Sequence, residues 1–318
     1  MAIISYNSGA TLPRCLDALA AQTFRDFELV LIDNASAEPP DALIEGRPFP
    51  VTYAASKDNL GFAGGMNEAM ARCKSPYLAA LNPDAYAARD WLAKLVAAAE
   101  QHPDIAAFGS LQLNANDEAQ LDGFGDHYLV TGQAWRGTTC PAPTDNAPAY
   151  CFGVCAAAAL YRADIVRELG GFDARFFCFY EDVDLSFRLR RAGHACAVIP
   201  DAIVHHVGGA SFEGKSELAD FLITRNAWWT LIKNMPWPAL IFAAPAYIAI
   251  QVLSLIKRYR RSRLKGLREG FARTPEFLRA RGNLDTPRRA SFIQLMRWIS
   301  FRPSAFFERR TLTRPQDQ

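Results

Sequence analysis

Three acidic side chains close together are the strongest candidates for chemistry in this 318-residue chain. Glu181, Asp182 and Asp184 follow an aromatic run, residues 176–180, at the start of a predicted helix. Acidic residues complement the dipole in the first turn of a helix, so a structural role is one explanation. Helix capping does not require the aromatic run, however. Apolar surroundings raise the pKa of a carboxyl group and suit it to act as a general base.

A second candidate is Asn82-Pro83-Asp84, which directly follows a predicted strand. A carboxylate at that position could bind a divalent cation that bridges a diphosphate, since Mg²⁺ is usually held by one or two carboxylates and phosphate oxygens. An ordinary Asn-Pro turn is the alternative. His205 and His206 lie further along the chain, and such a pair is more often structural than metal-ligating.

Two further segments could bind a nucleotide. Asp33 and Asn34 follow a run of apolar residues, and a carboxylate at a strand end can accept hydrogen bonds from a base or ribose. A turn or helix cap is the alternative. The glycines within residues 59–67 precede a predicted helix, whose N-terminus favours anions. This segment matches neither a Walker A loop nor GxGxxG, so turn glycines remain an alternative.

The elements that must position these residues alternate over the first 110 residues. Short apolar runs and helical patterns follow each other as βαβαβαβ, which predicts an α/β fold with a mostly parallel sheet flanked by helices. Ligands of such sheets bind at the carboxyl ends of the strands, so we expect Asn7, Asp33, Asn82 and Asp84 at one edge. Residues 112–150 lack periodicity and predict a loop excursion, and residues 195–199 predict the last strand.

Composition excludes several classes of protein. The chain is 50% hydrophobic and 21% charged, which is typical of a globular protein and not of a disordered, collagen-like or disulfide-stapled one. Its seven cysteines include no CxxC pair, so we expect reduced thiols and no zinc site. The first residues lack the basic and apolar regions of a signal peptide, and we expect none.

The net charge of +2 conceals two opposite parts. Residues 1–256 hold 18 Lys and Arg against 28 Asp and Glu, while residues 257–318 hold 17 against 5. Residues 237–256 carry no charge and are long enough to span a bilayer, although Pro238 and Pro245 interrupt them. We therefore predict two regions, a catalytic domain at 1–230 and a basic, helical, membrane-associating region at 231–318.

Taken in order along the chain, six segments resemble the bacterial glycosyltransferase family 2, which has the GT-A fold. More narrowly, they resemble its rhamnosyltransferase-like branch, which builds surface polysaccharides. The similarity spans about residues 2–235. The six segments are SYNSG, DNAS, DNLGFAGGMN, LNPDA, GGFDARFFCFYEDVDLSFRLRRAG and HHVGGAS.

The resemblance implies a role for each matching residue. Asp182 would be the catalytic base with Glu181 beside it, and Asp84 and His206 would bind a Mg²⁺ or Mn²⁺ ion. Asn82 stands where many relatives carry the first Asp of the metal motif. The positions that would contact the nucleotide sugar are Tyr6, Asn7, Asp33, Asn34, Gly61, Gly64, Gly65, Asn67 and Asn82.

The implied reaction is inverting transfer of a sugar to a hydroxyl of a lipid-linked glycan. The first-choice donor is dTDP-rhamnose, and a UDP-hexose is the alternative. We expect the protein on the cytoplasmic face of the bacterial inner membrane, held against anionic lipid by a peripheral, re-entrant or single-helix attachment, with no nucleic-acid partner. Both ends of residues 237–256 favour the cytosol, which favours an interfacial element over a crossing. The competing functions are a sugar-phosphate nucleotidyltransferase and a non-catalytic sugar-nucleotide or nucleic-acid binder.

Overall fold

A computed structural model of the protein describes residues 1–139, 147–208, 217–254, 260–282 and 290–313. Several sequence predictions fall partly outside these ranges. They are Cys140, residues 209–211 of the HHVGGAS segment, residues 255 and 256 of the uncharged stretch, and residues 257–259 of the basic cluster.

The described residues form thirteen strands and eleven α-helices. The strands are β1 (Ala2–Ser5), β2 (Leu29–Asp33), β3 (Val51–Ala55), β4 (Tyr77–Leu81), β5 (Ala85–Ala87), β6 (Ile105–Asn114), β7 (Asp117–Gly123), β8 (Asp126–Leu129), β9 (Ala134–Arg136), β10 (Ala149–Tyr150), β11 (Ala158–Arg162), β12 (Ala195–His206) and β13 (Ile299–Ser300). The helices are α1 (Leu12–Ala20), α2 (Gly61–Arg72), α3 (Trp91–Gln101), α4 (Ala163–Glu168), α5 (Glu181–Arg191), α6 (Glu217–Asn234), α7 (Trp237–Ser254), α8 (Arg260–Ala272), α9 (Thr274–Gly282), α10 (Phe292–Met296) and α11 (Pro303–Phe307).

The centre of the main sheet is parallel, as the alternating pattern predicts. Strands β4, β1, β2 and β3 lie side by side and run in one direction, with Ser5 of β1 beside Asp33 of β2. Strands β1 and β2 are buried along their whole length because helices cover both faces. Successive residues of a strand point to opposite faces of the sheet. Ile3 therefore packs in the core with α1 and α3, and Ile4 packs in the core with α2, α4 and α5.

The rest of the sheet is mixed. Strand β11 runs antiparallel between β4 and β6, and β12 runs parallel to β6 on its other side. Strand β12 is twelve residues long, so the prediction that a last strand ends at Ile199 was wrong. Pro200 and Asp201 lie at an irregularity in the register between Ile199 and Ile203, and the strand continues beyond it. Strand β13 also follows β12 and pairs with β8 in a small second sheet.

The prediction of a loop over residues 112–150 was also wrong. Strand β6 extends to Asn114, β7 pairs antiparallel with it, and β8 and β9 form a hairpin. Four of the seven residues of β7 are exposed, so the strand carries no alternating apolar pattern that periodicity could detect. The hairpin matters for function because it carries polar residues over the edge of the main sheet.

The C-terminal helices pack against the segment that precedes α5. Trp229 of α6, Tyr247 of α7 and Phe277 of α9 share one apolar cluster with Phe176 and Phe187. Helix α6 runs across the predicted division between residues 230 and 231, and that division stays a prediction. Helix α7 is long and apolar enough to cross a membrane by length and composition.

Candidate active site

The first two strands bring the SYNSG and DNAS segments together at the carboxyl edge of the sheet. The backbone N–H of Asn34 donates to Ser5 O at 2.8 Å, and the N–H of Asn7 donates to the hydroxyl of Ser36 at 2.8 Å. The side-chain oxygen of Asn7 accepts from the N–H of Ala37 at 2.9 Å. Asp33 is buried, whereas the Tyr6 ring is 44% exposed and free to stack on a planar ligand.

The glycine segment joins the same edge. Its glycines were expected before the helix, but Gly61, Gly64 and Gly65 lie within it. Helix α2 begins at Gly61, whose carbonyl accepts from the side-chain amide of Asn34 at 2.8 Å. Gly61 has a φ of +68°, and a Cβ there would lie 2.3 Å from Phe177 O. A Cβ on Gly65 would lie 2.6 Å from the Ile4 side chain, and one on Gly64 would lie 2.8 Å from Leu60. The absent side chains thus let α2 pack closely, and contact of these glycines with a donor stays a prediction.

Asn67 is held by the protein itself. Its amide donates to Phe172 O at 2.7 Å, and its oxygen accepts from Phe172 N–H at 2.9 Å. The side chain therefore fastens α2 to the turn at residues 170–172. Its predicted place in the sugar-nucleotide pocket stays a prediction.

Asp84 and His206 lie together, as predicted, although 122 positions separate them in the sequence. Strand β5 pairs with the end of β12, which sets His206 beside Ala85, and the N–H of Val207 donates to Asp84 O at 3.0 Å. The Nε2 atom of His206 lies 3.4 Å from Asp84 Oδ1 and makes no hydrogen bond within the described residues. This spacing suits two ligands of one cation, which would replace the missing hydrogen bond.

The other ring nitrogen of His206 is held by Asp122, a residue that the sequence did not identify. The Nδ1 atom lies 2.8 Å from Asp122 Oδ2, and Asp122 also pairs with Arg136. Burial alone would lower the pKa of His206, but the hydrogen bond to Asp122 and the adjacent Asp84 carboxylate outweigh it and raise the pKa. A carboxylate behind an imidazole is the usual arrangement of a metal-binding histidine.

Asp182 stands at the start of α5 with both carboxyl oxygens anchored. Oδ2 accepts from the N–H of Ala156 at 3.2 Å, and Oδ1 accepts from the N–H of Val183 at 2.8 Å. The neighbouring carbonyl of Ala157 accepts from the N–H of Asn82 at 2.8 Å, which places Asp182 close to the end of β4 and so to Asp84. Burial raises the pKa of Asp182 against the opposing effect of these N–H donors.

Two more carboxyl groups adjoin Asp182. Glu181 is 5% exposed, and burial followed by the charge of Asp182 raises its pKa well above the usual value. Asp126, at the start of β8, has a carboxyl oxygen within 4.8 Å of those of Asp182 and of the Cys155 sulfur. Burial and the charge of Asp182 raise the pKa of Asp126 to about 8, and burial raises that of Cys155 to about 12. A carboxyl group with a pKa of about 8 is largely protonated at neutral pH, so Asp126 leaves Asp182 as the carboxylate of this group that is available to act as a base.

Arg136 of β9 connects the two halves of the site. Its Nη1 atom donates to Asp122 Oδ2 and, at 3.2 Å, to Gln112 Oε1. Its charge also acts on Asp126 and Asp182, opposing the rise in their pKa values. Asp122, Asp126 and Arg136 all lie within residues 112–150, where the polar pattern GFGD and WRG was the only signal in the sequence.

Comparison with known proteins shows the family to which the chain belongs. The family described as Glycosyl transferase family 2 matches residues 1–170, just over half of the chain. An N-acetylglucosaminyl-diphospho-decaprenol L-rhamnosyltransferase of Mycobacterium tuberculosis is 26% identical over 299 residues, which cover 82% of this chain and 95% of the relative. The galactofuranosyltransferase GlfT1 of the same organism is 29% identical over 65% of this chain and 69% of its own length.

Among solved structures, GalNAc-T7 with UDP, GalNAc and Mn²⁺ superposes with a TM-score of 0.65 at 17% identity. The match covers 90% of this chain and 57% of that one. At this identity the likeness shows the fold, an α/β sheet of the GT-A type flanked by helices.

Proposed function

Because this chain belongs to glycosyl transferase family 2, a family of inverting hexosyltransferases, we propose that it transfers a sugar from a nucleoside diphosphate to a hydroxyl of a lipid-linked glycan. One observation carries the proposal. The anchored carboxylate of Asp182, which is the proposed base, and the adjacent side chains of Asp84 and His206, which are the proposed cation ligands, lie at one edge of the sheet. An inverting displacement requires one base for the nucleophile and one stabiliser for the leaving group.

The base acts on the acceptor. An acceptor hydroxyl gives its proton to the Asp182 carboxylate as its oxygen forms a bond to the anomeric carbon. The bond from that carbon to the donor diphosphate breaks on the opposite face, so the configuration inverts. The backbone N–H groups of Ala156 and Val183 hold the Asp182 carboxylate in place and favour its charged form.

The donor occupies the first half of the sheet edge. The exposed ring of Tyr6 is available to stack on the nucleobase of the donor. Asp33 is available as a hydrogen-bond acceptor for the ribose or the nucleobase. Asn34 ties this part to Gly61, so the two nucleotide-binding segments form one surface. The amides at the start of α2 add a favourable field for the diphosphate.

Asp84 and His206 would hold Mg²⁺ or Mn²⁺, and the oxygen and nitrogen donors of the pair fit such an ion. The ion, when bound, supplies positive charge for the diphosphate. Asp122 orients the imidazole so that Nε2 faces Asp84. The presence of Mn²⁺ in the solved structure of GalNAc-T7 supports the proposal of a divalent cation.

Rhamnose from dTDP-rhamnose is the proposed first-choice sugar, with a UDP-hexose as the alternative. The proposal is supported by the rhamnosyltransferase relative, whose similarity extends over 95% of its own length. The name of that relative also supports a polyprenyl-diphosphate-linked acceptor. Because another relative is a galactofuranosyltransferase, the donor test also includes sugars other than rhamnose.

The proposed location is the cytoplasmic face of a bacterial inner membrane, where α7 lies in the interface. One side of α7 packs into the protein, with Leu240 and Tyr247 buried and the Tyr247 hydroxyl donating to Thr224 O at 2.7 Å. The opposite side is an exposed apolar stripe, which we call the α7 stripe. It comprises Pro238, Ile241, Phe242, Pro245, Ile248, Ala249, Val252 and Leu253.

A helix in this position is better suited to lie on a membrane than to cross it. Its partner α6 carries Arg225 and Lys233, which could not accompany it into hydrocarbon without cost. Helix α8 then adds exposed cations that attract anionic lipid, among them Arg261, Lys265 and Arg268.

The test of the proposed function is Asp182→Asn. We expect donor binding to be retained, because Asp182 acts on the acceptor, while transfer falls by about 10²-fold or more. Binding is measured by calorimetry across dTDP and UDP sugars, and transfer with a polyprenyl-diphosphate glycan. The control is Asp164→Asn, an exposed acid in the first turn of α4.

Near-normal transfer by Asp182→Asn would overturn the assignment of the base. Release of pyrophosphate from a nucleoside triphosphate and a sugar phosphate would instead favour a nucleotidyltransferase. Donor binding without transfer by the unaltered protein, tested with each acceptor and cation, would favour a binding protein.

A further inference from the structure

The loop that leads into the base has an unusual backbone. Phe177, Phe179 and Tyr180 have φ values of +67°, +67° and +69°, in a region that non-glycine residues seldom adopt. Tyr180 is the residue directly before α5, so this conformation sets the direction in which α5, and with it Asp182, begins. Such backbone persists only where the surroundings enforce it.

One side chain of α6, Asn226, contacts three carbonyls of this loop. The Nδ2 atom of Asn226 lies 2.9 Å from Phe176 O, 2.9 Å from Cys178 O and 2.7 Å from Phe179 O. Its two N–H groups are therefore shared among three carbonyls that the turning backbone directs inward. Asn226 is fully buried, so no water can replace it.

The Asn226 amide is itself oriented by its neighbour. Its oxygen accepts from Arg225 Nε at 2.9 Å, and the Nη2 atom of Arg225 donates to Phe176 O at 3.0 Å. The guanidinium of Arg225 lies 4.2 Å from the centre of the Trp229 ring, and Nη1 pairs with Glu269 of α8 at 2.9 Å. These contacts leave the amide one orientation, with the NH₂ group toward the loop.

The same loop also reaches the donor side. The carbonyl of Phe177 accepts from the N–H of Ala63 at 3.1 Å, close to Gly61 at the start of α2. A change in the loop would therefore displace Asp182 first and the donor segments less. Side-chain hydrogen bonds of Asn34 and Asn7 connect the donor segments to each other.

We propose that Asn226 is a positioning residue for the reaction, because its amide holds the left-handed loop 176–180 and thereby fixes Asp182 in place for the acceptor. The inference rests on the proposed function, in which Asp182 is the base. It gives α6 a role in positioning the proposed base. Helix α6 lies outside residues 1–170, the span that the family model matches.

The test is Asn226→Asp, which keeps the size of the side chain and removes both N–H donors. We expect kcat to fall by about 10–100-fold, as expected when a reacting group is misplaced by an ångström or less, while the Kd for the nucleotide sugar changes less than about threefold. The matched control is Thr230→Val on the same helix. Its hydroxyl is buried and has no hydrogen-bond partner among the described residues, so we expect kcat to be unchanged.

A double variant distinguishes positioning from general damage. If Asn226 acts through Asp182, then Asn226→Asp should lower the residual rate of Asp182→Asn by less than about twofold. A further loss equal to that of the single variant would overturn the inference, as would a full-rate Asn226→Asp. Should that variant fail to fold, Asn226→Ser, which keeps one hydroxyl donor, is subject to the same comparison.

The two proposals fail in different ways. A normal rate for Asp182→Asn would remove the base and with it the proposed function. A low rate for Asp182→Asn together with a normal rate for Asn226→Asp would remove only the positioning role.

Discussion

Asp182 and Asp126 are neighbours that must differ in protonation for the site to work. Two backbone N–H groups donate to Asp182 and favour its charged form, whereas the buried Asp126 has the charge of Asp182 beside it. Asp182 therefore ionises first, and Asp126 retains its proton at neutral pH. One carboxylate beside one carboxylic acid would give the proposed base without placing two negative charges near the proposed anionic donor.

The raised pKa of Asp126 has a consequence for stability. Between about pH 5 and 8 the folded protein keeps a proton on Asp126 that the unfolded chain releases, so a rise in pH favours unfolding. We expect Asp126→Asn, which removes this effect, to raise the melting temperature by about 3–6 °C at pH 8 and by less at pH 5. Thermal melts of both proteins at the two pH values measure it, with the exposed Asp26→Asn as control. An equal shift at both pH values would contradict the explanation.

Asp122 should matter for the cation although it is not a ligand. Without the bond to Nδ1, the imidazole of His206 loses its orientation and part of its basicity. We expect Asp122→Ala to weaken Mn²⁺ binding by about 10–100-fold, measured by electron paramagnetic resonance of free Mn²⁺. Asp117→Ala, which removes an exposed carboxylate from the same strand, is the control. Equal Mn²⁺ affinity of the Asp122→Ala variant and the parent would exclude the role.

At this scale the sequence identified Asp84, His206 and Asp182, and the structure brings them to one edge of the sheet. A strand end and a helix start located Asp84 and Asp182, whereas His206 was assigned by the family resemblance, because the strand before it was predicted to end at Ile199. Asp122, Asp126 and Arg136 were missed because they lie on short or exposed strands in which neither apolar periodicity nor turn residues mark the structure. Asn226 was missed because the sequence of a helix does not show that one of its asparagines donates to three carbonyls of a loop about 50 residues earlier.

Helices α5 and α6 are joined by buried charges. The ammonium of Lys233 on α6 lies 2.8 Å from Asp173 Oδ2 and 2.8 Å from Asp184 Oδ1, and Asp184 is fully buried. Arg188 and Asn234 also contact Asp184, at 2.9 and 2.8 Å. The helix that carries the base is thus fastened at its first turn by Asp184 to α6 and at the preceding loop by Asn226.

Removing the central cation should be costly. We expect Lys233→Met to lower the free energy of unfolding by about 3–5 kcal/mol, because two buried carboxylates lose a partner. Urea denaturation followed by tryptophan fluorescence measures it. Arg72→Met, which breaks the exposed pair with Glu68, should cost no more than about 0.5 kcal/mol. Comparable losses for the two variants would show that the buried pair is not the main link.

Among the elements, the parallel strands and the helices of the first 110 residues, together with α5, were predicted because their apolar residues recur with a clear period. The antiparallel insertion of β11 could not be foreseen, since strand direction depends on the path of the intervening chain. The continuation of β12 past Pro200 was hidden because a proline ordinarily ends a strand, and only the bulge seen in the structure accommodates it.

Over the whole molecule, the acidic N-terminal part and the basic C-terminal part are in contact. Helix α6 packs on the loop that precedes α5, and α7 packs on α6, so the surface proposed to meet lipid is connected through packed helices to the proposed base. The opposite charges of the two parts can be counted from the sequence. In the proposed location they would orient the protein on the membrane as well as attract it there.

The α7 stripe gives a test at this scale. We expect the triple variant Ile241→Glu, Phe242→Glu, Leu253→Glu to lose flotation with phosphatidylglycerol vesicles, because each side chain is at least 67% exposed and faces outward. Transfer to a water-soluble acceptor should persist. Phe307→Glu, on an exposed residue of α11, is the control. Unchanged flotation of the triple variant would contradict the interfacial placement.

The buried side of α7 bears on how the protein can be handled. Hydrophobic C-terminal segments are commonly removed to obtain a soluble enzyme, and an end point before Trp237 would seem natural. Here that cut would strip Leu240 and Tyr247 from the cluster around Trp228 and Trp229, and would uncover the helix that carries Asn226. We expect the shortened protein to be less soluble and less active than the parent. Charged substitutions along the α7 stripe should achieve the purpose while leaving the interior intact.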